Sequence, residues 1–66
     1  MDTKELINQA ILIAGSQSSL AYQMNVTRQM VSRWAKTGKI SIHHYLKINQ
    51  YINYNKIKKD VNNRNA

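Results

Sequence analysis

The sequence predicts an all-α domain of four to five short helices, compact and without a second domain. Apolar residues recur at spacings of three and four in successive windows, the pattern of a helix with one buried face. Serine, threonine or aspartate precedes each window, and glycine follows the first and third. These are the residues that begin and end helices.

The first helix is predicted to begin at Asp2–Thr3 and to end at Gly15, which suits the left-handed C-cap conformation. Glu5 lies in its first turn, where a negative charge complements the helix dipole. Ser16 is an N-cap type, so a second helix runs from there to about Met24.

Thr27 caps the third helix, which closes at Thr37–Gly38 and divides sharply into two sides. At about 100° per residue, one side is polar and basic and the other apolar. Asn25, before the cap, is one of the few residues besides glycine that tolerate a left-handed backbone. Two short helices joined by such a turn predict a helix-turn-helix. The polar side carries Arg28, Gln29, Ser32, Arg33 and Lys36, and the apolar side Met30, Val31, Trp34 and Ala35.

A fourth helix is predicted to begin at Ser41, with an apolar face that includes Ile42 and Leu46. The segment from 48 to 57 is ambiguous, because its alternation at 52–55 also suits a strand. We favour a helix, since no hairpin turn interrupts the run. The domain is assigned to residues 1–57 and a disordered polar tail to 58–66. The predicted core is Leu6, Ala10, Ile13, Leu20, Ala21, Met24, Val26, Val31, Trp34, Ile42 and Leu46.

Charge favours a polyanionic partner. Ten Lys and Arg face three Asp and Glu, giving a net charge of +7. No acidic residue occurs from Leu6 to Lys59. Basic charge alone is a weak indication, but cations clustered on one helix face favour double-stranded DNA.

Several of these residues also carry a resemblance to a known family. Gln17, Ala21, Val26, Val31 and Trp34, with the run NVTRQMVSRW and the following G-K-I, resemble the Cro-type helix-turn-helix repressors of temperate phages and prophages. The resemblance covers about residues 3–50. It departs from the family pattern at Asn25, where glycine is usual, and at Ser41, where proline is frequent.

The first two turns of the third helix supply the expected base-reading residues, because a helix in the major groove reads base edges near its N-terminal end. Arginine can fork onto guanine, and glutamine can pair with adenine. This set is Arg28, Gln29, Ser32 and Arg33. The resemblance implies that Gln17 reaches a phosphate, and helix N-termini and flanking donors extend the backbone contacts. The expected backbone set is Ser16, Gln17, Tyr22, Thr27, Lys36, Thr37, Lys39 and Ser41, with capping the main role of Thr27.

A homodimer is expected, because a chain of this size has a marginal core and carries no cysteine for disulfides. The proposed contact surface consists of apolar and aromatic side chains after the third helix. These residues are Tyr45, Ile48, Tyr51, Ile52 and Tyr54.

Other classes of function are disfavoured. No nucleophile and base are paired as a catalytic centre needs, so we predict no enzyme, cofactor or small-molecule substrate. Adjacent histidines such as His43 and His44 diverge on a helix, and we predict no metal site. No apolar run approaches the roughly 18 to 20 residues of a membrane span, and no signal peptide is evident. We expect a cytoplasmic location, on the nucleoid of a bacterial host.

The predicted function is a sequence-specific repressor that binds a palindromic operator as a dimer and blocks a promoter. The resemblance implies a phage or prophage Cro. An antitoxin-like autoregulator or an excision factor on the same module is an alternative. A small basic adaptor for RNA or an acidic protein ranks third, because the outer face of the third helix lacks aromatic stacking residues.

Overall fold

Four helices follow one another along the chain in this computed structural model, which describes the backbone of residues 2–65 and the side chains of residues 2–56. The prediction of an all-α domain is confirmed, and residues 2–65 contain no strand. The helices are α1 Thr3–Ala14, α2 Gln17–Met24, α3 Arg28–Thr37 and α4 Ile42–Asn65.

The first three helices begin and end at the residues expected from the sequence. Gly15 and Gly38 end α1 and α3 with left-handed backbones, at φ 104° and φ 72°. Each glycine N–H donates to a carbonyl of the last helical turn, Ile11 and Trp34 respectively. These short-range bonds satisfy carbonyls that the helix leaves free, which fixes where each helix stops.

The fourth helix extends through the segment where a strand was the alternative, so the preference for helix is confirmed. Its backbone remains helical to Asn65 and therefore enters the segment 58–66, which was expected to be a disordered tail. Side chains from 57 onward lie outside the described residues, and the proposed domain boundary stays a prediction.

The core forms around α1, which packs against each of the other three helices. Leu6, Ala10, Leu20, Ala21, Met24, Val31 and Trp34 were predicted and are buried. Val26 is half-buried and packs against this cluster. The core also contains Ile7, Ile48 and Ile52, which were not in the predicted set.

Three predicted core residues were wrong. Ile13 is 40% exposed, Ile42 71% and Leu46 51%. In α1 the fully buried positions are Ile7 and Ala10, and Ile13 lies away from the side that faces the core. In α4 the inward face runs through Ile48 and Ile52, which places Ile42 and Leu46 on the outward face.

Candidate nucleic-acid interface

The outer side of α3 presents a continuous polar and basic surface. Val31 and Trp34, 0% and 5% exposed, anchor the inner side of the helix in the core. The opposite side chains are exposed, apart from Ser32, which is half-buried. The structure therefore brings all four predicted base-reading residues together and adds two from the last turn. This surface is lined by Arg28, Gln29, Ser32, Arg33, Lys36 and Thr37.

A three-residue turn connects α2 to α3 and sets the position of this surface. Asn25 has φ 59° and ψ 44°, the left-handed conformation expected for it. The Asn25 N–H donates to Tyr22 O at 3.2 Å, and the Val26 N–H reaches back to Ala21 O at 2.9 Å. The second bond joins the first and last of six consecutive residues, 21 to 26, a pattern typical of a helix C-terminus. The turn is thus held by its own backbone.

Hydroxyl caps fix the first turns of α2 and α3. Ser16 Oγ accepts from the Ser19 N–H at 3.1 Å, and Thr27 Oγ1 accepts from the Met30 N–H at 3.2 Å. The capping role of Thr27 is therefore confirmed. Free N–H groups remain at both helix starts and point along the helix axes toward solvent. Phosphate contacts by Ser16 and Thr27 stay predictions.

Two more hydroxyls hold the connection from α3 to α4. Thr37 Oγ1 donates to Arg33 O at 2.9 Å and accepts from the Lys39 N–H at 3.1 Å. Ser41 Oγ accepts from the His44 N–H at 3.3 Å and lies 2.8 Å from His44 Nδ1. Both side chains were expected to contact DNA, and in this structure they organise the chain beside α3.

The other predicted backbone contacts lie on two flanks. Gln17 is the first residue of α2 and is half-buried, whereas Tyr22 is 83% exposed on the same helix. Lys36 and Lys39 are exposed around the end of α3. Positive charge therefore borders the α3 surface at its C-terminal end.

Aromatic rings meet beneath that end of the helix. The Trp34 ring centroid lies 5.0 Å from the His44 ring at an interplanar angle of 41°. Since Trp34 is buried, its expected role in core packing is confirmed and base stacking by its ring is excluded. His44 is half-buried. No short-range pattern signals this contact, because its two rings belong to different helices.

Sequence reasoning missed another residue, Lys4. Its methylene chain lies against Gly38 at the end of α3, although the two positions belong to helices far apart in sequence. Lys4 looks in the sequence like an ordinary solvated cation of the first turn of α1. Only the tertiary arrangement brings it to the flank of the α3 surface.

The expected dimer surface is largely internal. Ile48 and Ile52 are 0% and 2% exposed, and Tyr45 and Tyr51 are half-buried against the same core. Including the isoleucines in a dimer contact was wrong, because their apolar side chains already pack within the single chain. Tyr54 remains 65% exposed. The isoleucines were misassigned because their spacing fits either an inward or an outward helical face.

The described residues contain neither a cluster of three metal-ligating side chains nor a membrane-spanning helix. Within 2–56, no three side chains of the types that ligate metals come together. His43 and His44 stand edge to face, with ring centroids 6.3 Å apart. In the part of the chain that the structure describes, no helix is long and apolar enough to cross a membrane.

Comparison with known proteins identifies a family but no individual relative. Residues 7–62 match the sequence model of the family described as bacterial toxin YdaS. This range includes α2 and α3 entirely and most of α1 and α4. No curated protein and no solved structure matches the chain.

Proposed function

We propose that this chain, which belongs to the family described as bacterial toxin YdaS, is a DNA-binding transcriptional repressor of the Cro type. It binds a palindromic operator as a homodimer and blocks a promoter by occupying it. The observation that carries this proposal is the two-sided α3, whose outer side is polar and basic while its inner side is fixed in the core. Such a helix meets the requirements for entering the major groove.

Base readout is assigned to the first two turns of α3. Arg28 and Arg33 supply forked donors that match the two acceptors on guanine, and Gln29 supplies the donor and acceptor that match adenine. Ser32 lies between them and can donate or accept. The Thr27 hydroxyl caps the Met30 N–H, so this cap does not use any of the four base-reading side chains.

Backbone binding is assigned to the borders of the same surface. Gln17 and the start of α2 approach one phosphate, where free N–H groups attract an anion. Lys36 and Lys39 approach others at the opposite end of α3. Much of the affinity should come from phosphate neutralisation and should therefore weaken as salt rises. The acid-free stretch from 6 to 59 leaves little internal charge to oppose this attraction.

The dimer is assigned to the outward side of α4, not to its buried isoleucines. Ile42, Leu46 and Tyr54 are 71%, 51% and 65% exposed and lie on one side of the helix. A second copy is the occupant we propose, because a two-fold axis pairs such a stripe with itself and a palindromic operator has the same symmetry. Of the residues that the sequence predicted for the dimer contact, Tyr54 is the one that remains exposed.

Operator recognition is tested by selecting bound fragments from random duplex DNA at near-physiological salt. The wild type should yield a palindromic consensus, and Arg28→Ala and Gln29→Ala should each relax the preference at particular bases. Lys56→Ala, an exposed cation several turns along α4, is the matched control and should leave the consensus unchanged. Binding without any consensus, lost steeply as salt rises, would overturn the repressor proposal in favour of simple phosphate neutralisation.

Self-association is tested by sedimentation of Leu46→Asp, which places a charge on the exposed stripe without replacing a buried residue. The variant should shift toward monomer and bind operator more weakly. Asn8→Asp adds the same charge at an exposed position of α1 and should not change either property. A fully dimeric Leu46→Asp would remove α4 from the interface.

The family description favours a second candidate, a toxin that arrests the growth of its bacterial host. Expression of the wild type and of Arg28→Ala in growing cells separates the two cases. If arrest disappears with Arg28→Ala, then toxicity follows from DNA binding by α3. If arrest persists in Arg28→Ala although this variant no longer binds operator DNA, the toxic activity lies elsewhere on the molecule.

Two further alternatives concern the regulatory circuit and the partner. An antitoxin-like autoregulator or an excision factor would use the same α3 surface, and the genomic position of the operator distinguishes them from a Cro-type repressor. An adaptor for RNA or an acidic protein would bind without requiring duplex DNA. Competition between duplex DNA and RNA for the wild-type protein tests whether RNA is the preferred partner.

A further inference from the structure

The side chain of Lys4 lies across the C-terminal end of α3. From the position that a Cβ would occupy on Gly38, Lys4 Cγ is 3.1 Å away, Cε 3.7 Å and Cδ 3.9 Å. Three methylene carbons therefore follow the glycine surface, while the residue as a whole stays exposed. A lysine in this arrangement packs its stem on the protein and keeps its ammonium group in water.

The surface beneath Lys4 is well defined. Gly38 has φ 72°, a backbone conformation that side chains rarely adopt, and its N–H donates to Trp34 O at 2.8 Å. Thr37 Oγ1 holds the next residue through the Lys39 N–H. The absence of a Cβ at Gly38 leaves the space that the Lys4 stem occupies. Lys4 is thus directed by a hydrogen-bonded turn and is not an unconstrained surface chain.

Lys4 brings a third cation to the C-terminal end of α3, and the acidic residues at the start of its own helix are Asp2 and Glu5. Lys4 belongs to the first turn of α1, where the positive end of the helix dipole disfavours a cation. The C-terminal end of α3 attracts positive charge, but it carries only about half an elementary charge. Lys36 and Lys39 already flank that end. The surplus of positive charge is the feature expected where an anion binds.

We propose that Lys4 contacts a phosphate of the DNA backbone and extends the basic border of α3 onto α1. The proposal rests on DNA binding by α3 and adds a contact from a helix outside the helix-turn-helix. Because its stem is already packed on Gly38, Lys4 loses less conformational freedom on binding than a free lysine. The contact is independent of base sequence and should fix how the domain sits along the duplex.

The test measures dissociation constants for one DNA fragment, chosen for tight binding to the wild type, across a series of salt concentrations. Lys4→Met keeps an unbranched stem and removes the charge. It should weaken binding and reduce the slope of log K against log salt by about 0.9, the value of one phosphate contact. Lys4→Arg should restore the slope. Lys56→Met, which removes an exposed cation of α4, should match the wild type.

A purely structural role for Lys4 gives a different result. In that case Lys4→Met lowers the thermal unfolding midpoint and leaves the salt slope unchanged, which would overturn the proposal. Failure of the proposed function is distinguishable, because no DNA fragment that the wild type binds tightly would then be found. A reduced slope with an unchanged unfolding midpoint supports the contact.

Discussion

The orientation of α4 gives a sharp prediction from a pair of substitutions, Ile48→Ala and Leu46→Ala. The two residues are isomers two positions apart, so each substitution removes the same number of carbon atoms. Ile48 is 0% exposed and Leu46 is 51% exposed. Their difference in stability therefore reports which side of the helix faces the core.

The expected magnitudes follow from these exposures. Ile48→Ala leaves a cavity in the core and should lower the free energy of unfolding by about 2–5 kcal/mol. Leu46→Ala removes a side chain that is only half covered, and its cost should be roughly 1 kcal/mol. A domain of this length has a total stability of only about 3–10 kcal/mol. Ile48→Ala should consequently leave a substantial unfolded population, and Leu46→Ala should not.

Urea and thermal unfolding followed by far-UV circular dichroism measure both variants. One kcal/mol corresponds to about 4–8 °C in the midpoint for a domain of this size. Ile48→Ala should therefore melt at least about 8 °C below the wild type. Equal losses for the two variants, or a larger loss for Leu46→Ala, measured at protein concentrations where the wild type is monomeric, would refute the assigned orientation of α4.

The remaining predictions concern the helix-turn-helix and are measured in the same unfolding experiments. Thr27→Ala removes the hydroxyl that accepts from Met30 N–H and should cost about 1 kcal/mol, whereas Thr27→Ser should retain most of it. Asn25→Ala places an ordinary side chain at φ 59° and should cost about 1 kcal/mol, while Asn25→Gly should be tolerated. A stable Asn25→Ala would contradict the role given to this backbone conformation.

Local chemistry made the first three helices predictable from sequence. Ser16 and Thr27 cap because their hydroxyls reach an N–H three residues ahead, a distance independent of the rest of the fold. Gly15, Asn25 and Gly38 adopt left-handed backbones for equally local reasons. The polar side of α3 was likewise readable, because its six lining residues follow one helical face.

Which face of α4 packs against the core could not be predicted from local sequence. Apolar and aromatic residues surround much of the helix, so Ile42 and Leu46 form as good an i, i+4 pair as Ile48 and Ile52. The choice between the two faces depends on packing against α1, which no short window contains. The same limit hid Lys4, whose neighbour Gly38 lies on another helix.

The division of α3 into two sides has a consequence for how this protein can change over generations. Val31 and Trp34 hold the helix in place, while Arg28, Gln29 and Arg33 project from the other side into solvent. Substitutions of exposed residues away from caps usually alter stability by no more than about 0.5 kcal/mol. Under the proposed base readout, new binding preferences can arise through mutations that scarcely change the stability of the domain. Related chains could then acquire different operators while keeping the same architecture.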